Sequence, residues 1–305
     1  MPQKILVPLD GSELADRMLA TVRGLLLRQD AEVTLLHVLR RLPQADYRDA
    51  GDLTAEEAKL HLERLQRGLT EQGARVRVAF MGGHAAEEII KFAEALRPSM
   101  IAMSTHGRTG LTRVLRGSVA EDVLRRSPFP VLLCNPHALQ GGGRPAELRI
   151  RRILVPTDGS EASARVIPIV EEFGQWGGVE AILLHVAAVY PDPLGYPVAT
   201  MLPTSEEAAQ VAECFAKKFA PGKVTVRTRV AFGMPDMQIV QAAIAENADL
   251  VAMATHGRTG FARFLLGSVT ESVLRASPCP VVVVGTTLEQ DAMVHSREDG
   301  ILREV

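Results

Sequence analysis

MIAMSTHGRTGLTRVLRGS occupies residues 100–118, and LVAMATHGRTGFARFLLGS occupies residues 250–268. The segments KILVPLDGSE at 4–13 and RILVPTDGSE at 152–161 match in the same order. The period is close to 150 residues, which is the size of a domain and much longer than a solenoid repeat. The chain is therefore predicted to be a tandem duplication, in which any site of one half should recur in the other.

The composition indicates a folded protein of the cell interior. Of the 305 residues, 47% are hydrophobic and 23% charged, which provides a core for each half. A formal net charge of −2 predicts no nucleic-acid partner. No apolar run approaches the ~18 residues that span a membrane, and the N-terminus has no apolar signal segment. The three cysteines show neither disulfide nor metal spacing. We therefore expect a cytoplasmic protein with no membrane partner.

Short apolar runs alternate with helical patterns in both halves. In the first half, apolar runs at 5–7, 33–38, 76–80, 100–103 and 130–134 alternate with helical patterns at 14–26, 58–69, 89–96 and 118–126. Capping boxes are predicted at Thr54 with Glu57, Thr204 with Glu207, Ser118 with Glu121 and Ser268 with Glu271. Such alternation predicts a parallel sheet with right-handed crossovers. The expected fold class is α/β, with two tandem doubly wound domains of five strands each.

The expected domains are residues 1–136 and 151–285. A linker at 137–150 contains GGGRP, which is typical of a flexible connection, and a charged, aperiodic tail follows at 286–305. The last strand of each half, near 130–134 and 280–284, is apolar and would be an exposed edge if it stayed unpaired. We therefore predict that the halves pair with each other through these strands. A homodimer of chains is a further hypothesis.

Polar residues follow the first and fourth predicted strands of each half. Asp10 and His106 take these places in the first half, and Asp158 and His256 take them in the second. In an open α/β sheet a ligand binds outside the carboxyl ends of the strands, where the strand order reverses. These loops therefore predict a ligand site in each half.

The loop after the fourth strand leads to a Gly-Ser pair and a helix in each half. The pairs are Gly117-Ser118 and Gly267-Ser268. Amide groups at a helix N-terminus favour an anion such as a phosphate. The same serines would also serve in a capping box with no ligand at all.

Two further polar pairs have structural explanations. Asp10 and Asp158 precede Gly and Ser, as at the start of an Asx turn. His37 and His185 lie inside the second strands, and we interpret them as core or sheet-end residues rather than catalytic ones.

At these residues the chain resembles the universal stress protein family, over residues 3–136 and 151–285. The resemblance implies a five-stranded α/β fold with strand order 3-2-1-4-5 in each half, and pairing through the last strand. ATP-binding members carry Gly, two residues, Gly, nine residues and then Gly-Ser or Gly-Thr. Both copies keep this spacing, but Ser104 and Ala254 replace the first glycine. We expect the replacements to weaken binding without abolishing it, with Ser104 still able to offer a hydroxyl to a phosphate.

The resemblance also implies roles for individual residues. Asp10 and Asp158 would lie near the ribose or hold the Mg²⁺ that accompanies ATP, and Val38 and Val186 would contact adenine. The expected cofactor-binding residues are Pro8, Leu9, Asp10, Val38, Met103, Ser104, His106, Gly107, Arg108, Gly117, Ser118 and Val119 in the first half. In the second half they are Pro156, Thr157, Asp158, Val186, Met253, Ala254, His256, Gly257, Arg258, Gly267, Ser268 and Val269.

No motif demands catalysis. The phosphate loop GxxxxGK[ST] and a GxGxxG fingerprint after the first strand are both absent from the sequence, and we assign no catalytic residue. The leading hypothesis is an ATP-binding stress-response or regulatory protein. The alternatives are an interaction module of the same fold that binds no nucleotide, and a slow Mg²⁺-dependent ATPase that uses Asp10 or Asp158.

Overall fold

The computed structural model describes residues 3–27, 31–39, 53–105, 118–136, 138, 149–175, 177–188, 204–255 and 267–285. The first half contains β1 Gln3–Pro8, α1 Glu13–Leu26, β2 Ala31–Leu39, α2 Ala55–Glu71, β3 Arg75–Gly82, α3 Ala85–Leu96, β4 Met100–Ser104, α4 Ser118–Arg126 and β5 Val131–Cys134. The second half contains β6 Arg152–Thr157, α5 Glu161–Ala164, α6 Ile167–Gly174, β7 Glu180–Ala188, α7 Ser205–Ala216, β8 Thr225–Gly233, α8 Pro235–Ala245, β9 Leu250–Ala254, α9 Ser268–Ala276 and β10 Val281–Val284. This order confirms the predicted alternation of strands and helices.

All of these strands join in one ten-stranded sheet of order β3-β2-β1-β4-β5-β10-β9-β6-β7-β8. Strands within a half are parallel, whereas β5 and β10 are antiparallel, with Val282 opposite Leu132. The order 3-2-1-4-5 in each half and the intramolecular pairing of the last strands are thus confirmed. Because the halves run in opposite directions, the carboxyl ends of their strands lie at opposite edges of the sheet.

The core forms a layer on each face of the sheet, and each layer runs through both halves. On one face, buried residues of α1, α2, α6 and α7 pack together. On the other face, α3, α4, α8 and α9 pack together. The inner strands between them are largely buried on both sides, as expected for parallel strands covered by helices, whereas the edge strands β3 and β8 are partly exposed.

Two of the predicted capping boxes are confirmed and one is wrong. In α2, Glu57 N–H donates to Thr54 Oγ1 (3.2 Å) and Thr54 N–H donates to Glu57 Oε2 (2.8 Å), and α7 has the same box at Thr204. Helix α9 instead begins with Ser268 as its first helical residue, because Gly267 is the N-cap. Glu271, which the box would require, accepts a hydrogen bond from Arg275 (3.0 Å).

The first helix of the second half differs from its counterpart. Helix α1 is continuous over 14 residues, whereas the corresponding segment breaks between α5 and α6. Pro168, near the start of α6, occupies the position that Ala20 holds in α1. Because proline has no N–H and its ring clashes with the preceding turn, the segment restarts as a second helix.

Candidate functional site

A proline separates the carboxyl ends of β1 and β4. Residues of a strand point their peptide groups alternately to the two neighbours. Leu9 N–H donates to Leu36 O of β2 (2.9 Å), and Lys4 O accepts from Ser99 N–H (2.8 Å), so Pro8 faces β4. Pro8 has no N–H to offer there, and the β1–β4 pairing ends at Leu6. We call the gap in strand pairing beyond Leu6, between the ends of β1 and β4, the first crevice.

The second half repeats this arrangement between β6 and β9. Asp249 N–H donates to Arg152 O (2.9 Å), so Arg152, Leu154 and Pro156 face β9. The β6–β9 pairing ends at Leu154, whereas the β6–β7 pairing continues to Thr157. We call this gap the second crevice. Both crevices lie where the strand order reverses, as the sequence predicts.

A tight turn follows β1 and β6 at the entrance of each crevice. Ser12 N–H donates to Asp10 Oδ1 (2.9 Å), and Ser160 N–H donates to Asp158 Oδ1 (3.0 Å). Gly11 has φ of 76° and Gly159 has φ of 81°, a left-handed conformation that favours glycine. The Asx-turn interpretation of both aspartates is therefore confirmed.

Two buried histidines hold these turns in place. His37 Nδ1 donates to Leu9 O (2.8 Å), and His185 Nδ1 donates to Thr157 O (2.9 Å). Because a carbonyl oxygen only accepts, Nδ1 must carry the proton in both rings. The side chains are 5% and 9% exposed, which agrees with their interpretation as sheet-end residues. Their role in fixing the crevice turns was not apparent from the sequence.

The predicted adenine and pocket residues lie at the carboxyl ends of the strands on either side of β1 and of β6. Val38 of β2 and Val186 of β7 are half-buried. Met103 and Met253 are buried just before the ends of β4 and β9. The structure thus brings them to the same edge as the prolines and aspartates of their half. Their contact with a nucleotide stays a prediction.

The replaced glycines end β4 and β9. Ser104 is half-buried and pairs in register with Cys134 of β5. Burial raises the pKa of the Cys134 thiol to about 12, so this neighbour remains a neutral thiol at physiological pH. Ala254 is buried and pairs with Val284. The last residue of β4 therefore carries a hydroxyl, whereas the last residue of β9 carries a methyl group.

The N-terminus of α9 is seated on the end of β9. Gly267 N–H donates to Thr255 O (3.3 Å), and Thr270 Oγ1 donates to Ala254 O (3.3 Å). A Cβ on Gly267 would lie 2.8 Å from Thr255 O, so close helix–strand packing already requires this glycine. Ser268 is exposed. The first amides of α9 therefore open at the second crevice.

The turn of the second half contains a chain of hydrogen bonds. Gly159 N–H donates to Thr157 Oγ1 (3.0 Å), which contacts Ser163 Oγ (2.9 Å), and Ser163 Oγ donates to Ser160 O (2.8 Å). Thr157 is therefore placed inside the turn, where its hydroxyl is already bonded. The first half has Leu9 and Ala15 at these positions, both buried.

Several predicted site residues lie outside the described residues, and so does the side chain of Ser118. Most of the predicted linker and the tail at 286–305 lie outside them as well. The site residues concerned are His106, Gly107, Arg108, Gly117, His256, Gly257 and Arg258. Val119 and Val269, which follow the Gly-Ser pairs, pack partly buried against the core. Within the described ranges, no helix is long and apolar enough to cross a membrane.

Comparison with known proteins agrees with this architecture. The sequence profile of the universal stress protein family matches residues 1–135 and 149–285. A universal stress protein of Mycolicibacterium smegmatis is 26% identical over 298 residues, covering 92% of this chain and 96% of the relative. One from Methanocaldococcus jannaschii is 31% identical over 137 residues, covering 43% of this chain and 81% of the relative.

A solved structure shows the same fold over nearly the whole chain. The crystal structure of a universal stress protein from Archaeoglobus fulgidus superposes with a TM-score of 0.72 at 23% identity. It covers 94% of this chain and 100% of its own. With both halves matched by the family profile, the chain belongs to the universal stress protein family and carries two of its domains in tandem.

Proposed function

We propose that this protein binds ATP in its two crevices and acts as a nucleotide-dependent stress-response or regulatory protein. The observation that carries the proposal is the gap opened by Pro8 and Pro156 at the strand-order reversal of each half. A gap at this point of an open α/β sheet is where ligands of such folds bind. Since the halves are antiparallel, the two nucleotides would lie at opposite edges of the sheet.

The residues around each crevice suit the parts of a nucleotide. The first turn of α9, which begins at the exposed Ser268, offers amide groups and a positive helix end for the phosphates. Val186 and Met253 offer an apolar wall for the base. Asp158, held in the turn that follows β6 by Ser160 N–H, brings a carboxylate to the second crevice, where it would lie near a ribose hydroxyl or Mg²⁺. Mg²⁺ binds ATP sites through one or two carboxylates plus the phosphates, so a single aspartate per half fits.

Titration calorimetry of nucleotide-stripped protein with ATP and Mg²⁺ tests the proposal. Two variants block one crevice each: Ser118→Asp at the start of α4 and Ser268→Asp at the start of α9. A carboxylate is favourable at a helix N-terminus, so these helices should persist, but it repels a phosphate in the same place. We expect ATP affinity at the altered site to fall at least ~10-fold, about 1.4 kcal/mol.

The matched controls are Ser118→Asn and Ser268→Asn, which have nearly the same shape and no charge. Wild type should bind two ATP per chain, each aspartate variant one, and each asparagine variant two. Equal affinities in the aspartate and asparagine variants would mean that phosphates lie elsewhere. Absence of binding by wild type at millimolar ATP would favour the interaction module. ATP hydrolysis that is lost in Asp10→Ala, while binding persists, would favour the slow ATPase.

A further inference from the structure

One buried side chain of the first half bonds directly to a helix of the second. Asn135 follows β5 and is 3% exposed. Its Nδ2 donates to Leu274 O (2.8 Å) and to Ser277 O (3.0 Å), and its Oδ1 accepts from Ala138 N–H (2.7 Å). Both ends of the amide are therefore used, and its two donated bonds cross between the halves.

The carbonyls that Asn135 binds belong to the end of α9. The last carbonyls of a helix have no partner within the helix, and Leu274 lies in the last turn of α9 while Ser277 is its C-cap. The other end of the same helix is seated on Thr255 at the second crevice. The helix has nine residues, so a shift of Asn135 acts on the crevice through less than three turns.

Asn135 is also joined to the first crevice. Ser104, at the end of β4, pairs in register with Cys134. Thr105 N–H, one residue further along, donates to Cys134 O (3.1 Å). The Cys134 carbonyl and the Asn135 nitrogen belong to the same peptide group. A ligand contacting Ser104 is thus one residue from the Thr105 amide, whose hydrogen bond leads to the peptide group of Asn135, the residue that holds α9.

Within the described part of the second half, the matching position makes no equivalent link. Pseudo-symmetry places Gly285 after β10 where Asn135 follows β5. The same backbone bond is present, since Thr255 N–H donates to Val284 O (3.0 Å). Gly285 has no side chain to donate to α4. Among the described residues, the side-chain link from the end of one half's last strand to the other half's last helix is therefore made in one direction, by Asn135, and it adds to the backbone pairing of β5 with β10.

We propose that Asn135 is a positioning residue that couples the two nucleotide sites of one chain, so that ATP in the first crevice tightens ATP binding in the second. This inference rests on the proposed function. A nucleotide on Ser104 restrains the paired ends of β4 and β5, and through Asn135 it restrains α9. Binding of the second nucleotide then costs less conformational entropy, because α9 is already restrained. Linkage requires the reverse effect to be of equal size.

The test compares isotherms of ATP with Mg²⁺ for wild type, Ser118→Asp and Ser268→Asp, each with Asn135 and with Asn135→Gly. If the sites are coupled, the wild-type isotherm is not the sum of the two single-site isotherms. We expect the second site to bind at least ~5-fold more tightly when the first is filled. In the Asn135→Gly background, which copies Gly285, the two single-site isotherms should add up to the two-site isotherm.

A matched control separates coupling from stability. Leu132→Ala truncates a buried residue of the same strand and leaves Asn135 intact, so it should lower the melting temperature and keep the coupling. Asn135→Ala is the second variant if the glycine variant does not fold. Additive wild-type isotherms, with one ATP bound by each aspartate variant, would overturn the coupling and leave the proposed function standing. Coupling that persists without Asn135 would overturn its role, and absence of ATP binding throughout would overturn both proposals.

Discussion

The two halves of the chain share the residues that shape the backbone and differ in the side chains around them. Pro8 and Pro156 open the crevices in the same way, and His37 and His185 hold the turns through the same Nδ1 bond. At the ends of β4 and β9, by contrast, a half-buried serine corresponds to a buried alanine. The duplication has kept the frame of each site while its chemistry has diverged. Two copies of a crevice are therefore not evidence for two equal sites.

The junction between the halves should give the largest effect when it is broken. Thr255 N–H donates to Val284 O, so even-numbered residues of β10 face β9 and Val283 faces Val131 of β5. Val283→Pro removes the N–H of this central strand and leaves a buried acceptor unpaired. We expect a loss of more than ~3 kcal/mol in the free energy of unfolding, measured with urea.

Val283→Ala is the control for this substitution, because it trims the side chain and keeps the N–H. It should cost about 0.5–2 kcal/mol. Equal losses in the two variants would mean that the side chain, and not the hydrogen bond across the junction, holds the halves together.

The first helices offer a reciprocal exchange. Ala20 is exposed in the middle of α1, so Ala20→Pro changes little besides the backbone and should cost about 3 kcal/mol. Pro168→Ala at the equivalent place should change stability by less than ~1 kcal/mol, because the segment already restarts there. Urea unfolding of the two variants checks this. Similar effects would show that the break between α5 and α6 does not come from the proline.

Local features were predictable from the sequence, and distant contacts were not. The capping boxes at Thr54 and Thr204 were predicted because both partners lie within one helical turn. The box at Ser268 failed because Gly267 bonds to Thr255 of a neighbouring strand. Asn135 gave no signal, since its partners Leu274 and Ser277 lie 139 and 142 residues away.

The candidate site divides in the same way. The tandem sequence places the aspartates and Gly-Ser pairs after the expected strands, and in the second half the strand order brings Asp158 and Gly267-Ser268 to the same edge of the sheet. The reason for the gap is not visible in the repeat itself. The reason becomes clear from the hydrogen bonds of β1, because peptide groups alternate along a strand and these bonds show that Pro8 faces β4.

The turn of the second half should respond to loss of a single hydroxyl. Thr157→Val keeps the shape but leaves Gly159 N–H without the acceptor it now has, which should cost about 1–2 kcal/mol. The double variant Thr157→Leu with Ser163→Ala copies Leu9 and Ala15. Its loss in the free energy of unfolding should be smaller than the summed losses of Thr157→Leu and Ser163→Ala, by a coupling energy of about 1 kcal/mol. Strict additivity in urea unfolding would indicate that the two hydroxyls act independently.

The smallest effect is expected at an ion pair that only the second half has. Glu246, after α8, accepts from Arg227 (2.7 Å) and from Arg229, whereas the first half has Leu96 and Ala79 in place of Glu246 and Arg229, packed against the core. The bond from Arg227 is the main cause that lowers the pKa of the Glu246 carboxyl. A carboxyl whose pKa is lower in the folded protein stabilises the fold at pH values above its unfolded-state pKa of about 4.3. This stabilisation is lost as the pH falls through the folded-state pKa.

Glu246→Gln should therefore destabilise the protein at pH 7 and have a diminishing effect as the pH falls below about 4. The loss at pH 7 should stay under ~1 kcal/mol, because the arginines are partly exposed and the carboxylate lies at the negative end of α8. Melting temperatures of wild type and variant across pH 3–7 measure the difference, with Glu94→Gln on the exposed face of α3 as the control. A difference independent of pH would assign the effect to packing, and the halves would then differ here in shape rather than in charge.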